Sequence, residues 1–227
     1  MCELSLLTEK DLSPKANKAL KYLRKEILLG KFSAGDHISA PEIASKLDIS
    51  RVPVREAINE LEKQGIVNTI PRRGSFLVKF DNDDIREIYD IRMMLEGRIL
   101  EILIKERLLT TKDLNCLEKL ANKMLNVAQE NEITREEIIK FMEFDMNFHQ
   151  LLWKRSERKL SYKILMSNYI QLQIAMILDY QQESNLEQTA ENHFQIIEQL
   201  KNRDIEGCRQ ALRDHIFVYN DKLGEII

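Results

Sequence analysis

Residues 39–78 read SAPEIASKLDISRVPVREAINELEKQGIVNTIPRRGSFLV. They carry, in order, a cap, two helices, a stop and a basic hairpin. Ser39 with Glu42 three residues on predicts a capping box, and Pro41 sits in the first turn, where its missing N–H costs nothing. Ile43, Ala44 and Leu47 give a short helix an apolar side. Asp48-Ile49-Ser50 is the turn, and Ser50 is placed to cap the helix that follows. In that helix, 51–64, Val54, Ala57, Ile58 and Leu61 fall on one side at 100° per residue. Arg51, Val52, Arg55, Asn59 and Glu62 fall on the other. Gly65 supplies a left-handed stop. The β-rich segments 66–70 and 75–78 flank Pro71-Arg72-Arg73-Gly74, a tight turn with two positive charges.

Two arginines four residues apart at the start of an exposed face suit a major groove, because each guanidinium can bridge N7 and O6 of a guanine or grip a phosphate. A basic hairpin directly after such a helix is a wing, aimed at the backbone or minor groove. Isolated charges of this kind are more often an ordinary solvated face. The full order of elements favours DNA binding.

ISRVPVREAINELEKQGIV followed by PRRGSF resembles the winged helix-turn-helix of the GntR family of bacterial transcription regulators, over roughly residues 15–79. The resemblance implies that Arg51 and Arg55 read bases, with Ser50 and Val52 beside them on the DNA side. It implies that Arg72, Arg73 and Gly74 form the wing tip. Val52 stands where the family usually has threonine, and Ala40-Pro41 where many members have Glu-Arg. Both departures bear on the operator sequence.

Composition agrees with two domains of different character. Net charge is −3, but residues 1–79 hold 14 Lys and Arg against 10 Asp and Glu, while residues 80–227 hold 20 against 27. The positive excess lies with the motif, and the acidic remainder avoids phosphate. No apolar run reaches membrane-spanning length and no signal peptide is evident, so a cytoplasmic protein is expected. Cys2, Cys116 and Cys208 are far apart and odd in number, which fits reduced thiols.

The domain boundary is placed at KFDNDD, giving a DNA-binding domain over 1–79 and an all-helical domain over 80–227. Before the motif, Pro14 to Leu29 is an amphipathic helix stopped by Gly30, and His37 in the following turn reads as a plain surface residue. After the boundary, helical periodicity predicts helices at about 83–106, 111–130, 134–155, 159–180, 186–202 and 204–223. Short connections between them make an antiparallel bundle. The expected fold is therefore mostly α: a winged helix-turn-helix with a two-stranded wing, then about six helices. The second region is similar to the effector domain called FCD, found in the FadR branch of the GntR family, with DIREIYDIRMMLEGRI as its opening helix.

Three of the four histidines lie in the bundle. Asp145 and His149 share one helical face, with Phe141, Phe144, Phe148 and Leu152 on or beside it. His193 and His215 sit on the last two helices. A carboxylate and three imidazoles would suit a first-row metal with open positions. Separations of 44 and 22 residues prove no proximity, and spacing alone favours unrelated core histidines. The FCD resemblance implies otherwise, since such domains carry Asp and His on one helix and single histidines on the last two. It implies a divalent ion, with zinc, nickel or manganese all open. Arg92 is read equally as a bidentate ligand for an acidic effector or as the partner of Glu96. Asn168 is a further candidate for the effector cavity. Trp153 and the methionines at 93, 94, 142, 146, 166 and 176 are expected in the core.

The function expected is a homodimeric, ligand-responsive transcription regulator, a repressor, bound to palindromic operator DNA and modulated by an organic acid at the metal. A metal-dependent hydrolase fused to a DNA-binding domain is the alternative. Against it, the chain has no HExxH, no nucleophile elbow and no phosphate-binding glycine loop.

Overall fold

The computed structural model of the chain describes residues 12–179 and 186–216. They fall into two compact units. One takes in the described part of 5–81 together with 167–179, and the other holds 82–166 and the described residues from 186 on.

In the first unit, α1 (Pro14–Leu28) begins where the Ser13 hydroxyl accepts the Ala16 N–H at 3.2 Å. It buries Ala16, Ala19, Leu20, Leu23 and Ile27 and packs on α3 (Arg51–Lys63). Between them, α2 (Ala40–Leu47) is capped by Ser39, whose hydroxyl accepts the Glu42 N–H at 3.5 Å. Asp48, left-handed at φ 52°, ends α2. Ser50 occupies the N-cap position of α3, but contrary to expectation its hydroxyl makes no capping hydrogen bond and the residue is exposed. Gly65 follows α3 at φ 69°, a conformation that costs a side-chain-bearing residue about 1 kcal/mol or more.

The wing is a hairpin of β2 (Val67–Ile70) and β3 (Gly74–Leu77), antiparallel, with Thr69 opposite Ser75 and their hydroxyls 3.0 Å apart. A third strand was not expected. The two-residue β1 (His37–Ile38) pairs antiparallel with β3, so the sheet order is β1-β3-β2. Two residues are too short to show alternation, and only the pairing reveals them as a strand.

The second unit contains α4 (Asn82–Lys105), α5 (Thr111–Ala128), α6 (Arg135–Arg155), the start of α7 (Lys159–Asp179), α8 (Leu186–Asn202) and α9 (Ile205–Ile216). The expected boundaries agree to within two residues at every described end. The expected extension of the last helix to 223 lies outside the described residues. Local caps explain the agreement. Thr110 with Asp113 and Thr134 with Glu137 both form complete capping boxes at the starts of α5 and α6. Asp113 also receives Arg155 through Nε at 3.0 Å and Nη2 at 2.7 Å, tying the start of α5 to the end of α6. α5 packs between α6 and α8, α8 against α9, and α4 against α9 and α6.

Trp153, Met146 and Met166 are buried as expected, but Met94 is 66% exposed on α4. It stands on the side of α4 that also carries the exposed Asp90 and Arg98. The Met176 side chain lies outside the described residues. Cys208 is a free buried thiol and Cys116 is disulfide-bonded, which departs from the expectation of three reduced thiols; Cys2 lies outside the described residues. No helix among the described residues is long and apolar enough to cross a membrane.

Candidate functional site

Two sites emerge, one in each unit. On α3, Val54, Ala57, Ile58 and Leu61 are all 0–4% exposed, while Arg51, Val52, Arg55 and Asn59 stand in solvent, Val52 at 63%. Burying such aliphatic side chains contributes roughly 1.5–3 kcal/mol each, so the inner stripe dictates which way the arginines face. The Thr69 N–H donates to Glu62 Oε1 at 3.0 Å, locking the wing to the recognition helix. Arg72 and Arg73 are exposed at the wing tip, Arg72 in a left-handed conformation at φ 65°. Gly74 has φ 107°, and a Cβ there would meet His37 Nε2 at 2.4 Å. His37 is exposed, yet its ring also packs edge-on to Phe76 at 5.3 Å. It therefore shapes the wing rather than being a plain surface residue.

In the helical unit the structure brings Asp145, His149, His193 and His215 together. One ligand atom from each lies within 4.8 Å of all the others, and all four residues are buried. Asp145 Oδ1 is 3.0 Å from His193 Nε2, and 3.9 Å from Nε2 of both His149 and His215. His149 Nε2 and His215 Nε2 are 2.9 Å apart. Ligand bonds of ~2.0–2.2 Å to a first-row ion place pairs of ligand atoms roughly 3–4 Å apart. The observed spread has that scale.

The hydrogen bonds behind the imidazoles set their tautomers. His193 Nδ1 is 2.8 Å from the Thr189 carbonyl, which can only accept, so Nδ1 carries the proton. His193 Nε2 then presents a lone pair to a carboxylate oxygen, without a well-directed hydrogen bond between them. Two facing lone pairs are relieved by a cation or by a second proton on the ring. Burial is the largest influence on the His193 and His215 pKa values and lowers both, that of His215 well below the ordinary histidine value, so the extra proton is disfavoured. The donor set therefore fits a metal ion.

Behind His149 lies a buried relay. His149 Nδ1 donates to Glu96 Oε2 at 2.7 Å, and Arg92 Nε donates to Glu96 Oε1 at 2.7 Å. Burial pushes the Glu96 carboxyl up, but Arg92 and His149 outweigh it and hold it down to about 2. Asp145 likewise stays below the usual carboxylate range against its burial, with the Arg92 guanidinium among the charges that hold it down. Arg92 is thus engaged by Glu96 in this structure. Asn168 is half-buried on the part of α7 that groups with the other unit. Glu96 was named in the sequence only as an ion-pair partner; its i+4 spacing from Arg92 on the inner side of α4 was the available signal. The Thr189 contact, being backbone, left none.

An arginine-faced recognition helix with a basic wing, joined in one chain to a helical unit holding a buried Asp/His cluster, defines a DNA-binding protein with a sensory domain. The comparisons agree. Residues 15–77 match the family described as bacterial regulatory proteins, gntR family, and residues 87–217 match the FCD domain. The chain is 30% identical over 193 residues to the uncharacterised HTH-type transcriptional regulator YdhC of Bacillus subtilis, covering 85% of this chain and 84% of that one. It is 24% identical over 214 residues to the HTH-type transcriptional repressor RspR of Escherichia coli, covering 94% and 90%. In fold it is similar to Escherichia coli McbR/YncC, with a TM-score of 0.74 at 22% identity over 93% of this chain and 98% of that one. This chain belongs to the GntR family of bacterial transcription regulators and carries an FCD domain. Its relatives are regulators, some of them repressors, rather than enzymes.

Proposed function

We propose that this chain is a cytoplasmic repressor that binds palindromic operator DNA as a homodimer and responds to an organic acid in the helical domain. The observation that carries the sensory half is the convergence of Asp145, His149, His193 and His215. These residues would hold a divalent ion, with zinc, nickel and manganese all suited to nitrogen-rich ligands, and the ion would supply Lewis acidity at its open positions. With Arg92 offset by Glu96, and with imidazoles ligating a metal through a neutral ring nitrogen, Asp145 leaves the pocket one negative charge. A divalent ion turns that into one positive charge, which selects an anion. Arg92, close enough to feel the Asp145 charge, is the buried cation of the same pocket and assists in holding the acid. Asn168 has no part in this reading.

The space beside the cluster, lined among others by Leu100, Leu152, Trp153 and Leu212, has no room for a water molecule. An effector must therefore move side chains to enter, and it acts by binding one arrangement of the protein better than another. On the DNA side, Arg51 and Arg55 read bases, Ser50 and Val52 lie along the same edge, and Arg72, Arg73 and Gly74 carry the wing to the backbone. Two copies on a palindrome multiply their affinities through effective concentration.

The test is a thermal-shift screen of small organic acids against protein loaded with zinc, nickel or manganese. Active compounds are then added to an operator selected from random DNA. An acid that raises the melting temperature of loaded protein only, and changes operator affinity, is the expected result. Acids that act equally with and without metal would remove the metal from effector binding.

Glu96 provides a sharper test of the relay. Outer-shell carboxylates that orient a ligating histidine are worth about 10–100-fold in metal affinity. Glu96→Gln keeps the shape but loses the charge that Arg92 holds in place, and should weaken metal binding by that factor in competition with a chromophoric chelator. Unchanged affinity would reduce Glu96 to a packing role.

A further inference from the structure

The recognition helix ends on a residue held from several sides. Gln64, which closes α3, is 8% exposed. Arg24 of α1 donates through Nη2 to Gln64 Oε1 at 2.8 Å, and Gln64 Nε2 donates to Glu60 Oε1 at 3.2 Å. A guanidinium only donates and a carboxylate only accepts, so the amide is oriented one way. The backbone carbonyl of Gln64 is among the acceptors that a helix leaves without an internal partner at its C-terminal end. It accepts Gln171 Nε2 of α7 at 2.8 Å.

Gln171 comes from a distant part of the chain. It lies within the stretch that matches the FCD domain, 87–217, yet it groups with the winged unit. The contact accounts for Gly65 more fully than the helix stop does. A left-handed φ of 69° alone would admit an Asn or Asp, as Asp48 shows at the end of α2 with φ 52°. At Gly65, however, a Cβ would stand 2.2 Å from Gln171 Nε2, so any side chain there expels the amide. Just beyond, β2 begins at Val67, and Glu62 of α3 holds the Thr69 N–H of that strand at 3.0 Å. Gln64 and Gly65 thus form the joint between the recognition helix and the wing.

We infer that Gln171 is a positioning residue for DNA recognition. A side chain from the FCD stretch fixes the joint between α3 and the wing, and so sets how Arg51 and Arg55 of the one and Arg72 and Arg73 of the other meet a single duplex. The inference rests on the reading of α3 and the wing as the elements that contact DNA, and it makes their mutual placement depend on α7. Without the donor, the arrangement competent for DNA becomes one of several, and apparent affinity falls by the fraction of molecules that leave it.

The test uses full-length protein and an operator selected from random DNA, with affinity read by fluorescence anisotropy below the melting transition of every variant. Gln171→Ala removes the donor. Gln171→Glu keeps the shape but has only acceptors to offer a carbonyl. Each should weaken operator binding roughly 3- to 10-fold for each copy bound, the worth of one hydrogen bond, with Gln171→Glu at least as weak as Gln171→Ala. A glutamine that served stability alone would lower the melting temperature and leave affinity unchanged, and that result would overturn the inference. Gly65→Ala already expels the amide, so adding Gln171→Ala to it should weaken binding no further. Losses that add would place the action of Gln171 away from this joint and overturn the inference too. Should Gly65→Ala fail to fold, the two Gln171 variants decide. An Arg55→Ala protein that keeps full affinity would instead defeat the reading of α3 on which the inference rests, whatever the Gln171 variants do.

Discussion

Arg55→Ala should reduce specific operator affinity by roughly 30-fold to 10⁴-fold, for loss of about 1–3 kcal/mol of base contact in each of two half-sites. The residue stands in solvent on α3, opposite a stripe of Val54, Ala57, Ile58 and Leu61 that is almost wholly buried. Its removal leaves no cavity and no unpaired buried group, so the melting temperature should not move. Arg73→Ala, at the wing tip, should act differently. A phosphate contact carries no sequence information, so affinity should fall uniformly across DNA sequences and the salt dependence should weaken by about one unit of slope per site. Competition footprinting of the two variants at several salt concentrations separates these effects. An Arg55→Ala protein with wild-type specificity would take α3 out of the recognition role.

Stripping the metal should lower the melting temperature of the protein by about 5–16 °C. An ion present at 100 to 1,000 times its dissociation constant stabilises by about 2.7–4.1 kcal/mol, and each kcal/mol moves a chain of this size by roughly 2–4 °C. The ion would join α6, α8 and α9, so the loss should be felt by the whole helical unit. Readdition of zinc, nickel or manganese should restore the transition. His193→Ala should bind at least tenfold less metal by elemental analysis and lose the response to acid, while retaining basal DNA binding. Acid should mimic chelation. The folded-state pKa values of His193 and His215 lie below the ordinary value, so the unfolded chain takes up protons first as pH falls. Stability is therefore fully present above about pH 6.5 and is lost below it, at up to roughly 1.4 kcal/mol per pH unit for each histidine. Wild type and His193→Ala carrying equally little metal, and melting alike with and without chelator, would leave four core polar residues and no metal site.

The winged helix-turn-helix was legible because its signals are local. The cap at Ser39, the left-handed stop at Gly65, the stripe Val54–Leu61 and the Arg72–Arg73 turn each act within a few residues, where sequence and structure coincide. The bundle's helix ends were legible for the same reason, through the Thr110–Asp113 and Thr134–Glu137 boxes. Periodicity showed that Asp145 and His149 share a face. It could not show that His193 and His215 meet that face, because spacing along a helix says which side a residue takes and nothing about which helix it will find there. Packing of α6, α8 and α9 decided that. Packing also decided that Glu96 backs His149 and that β1 joins the wing. It left Met94 outside, too. Each of these depends on contacts between residues distant in sequence, and such contacts are chosen by how whole helical faces fit one another.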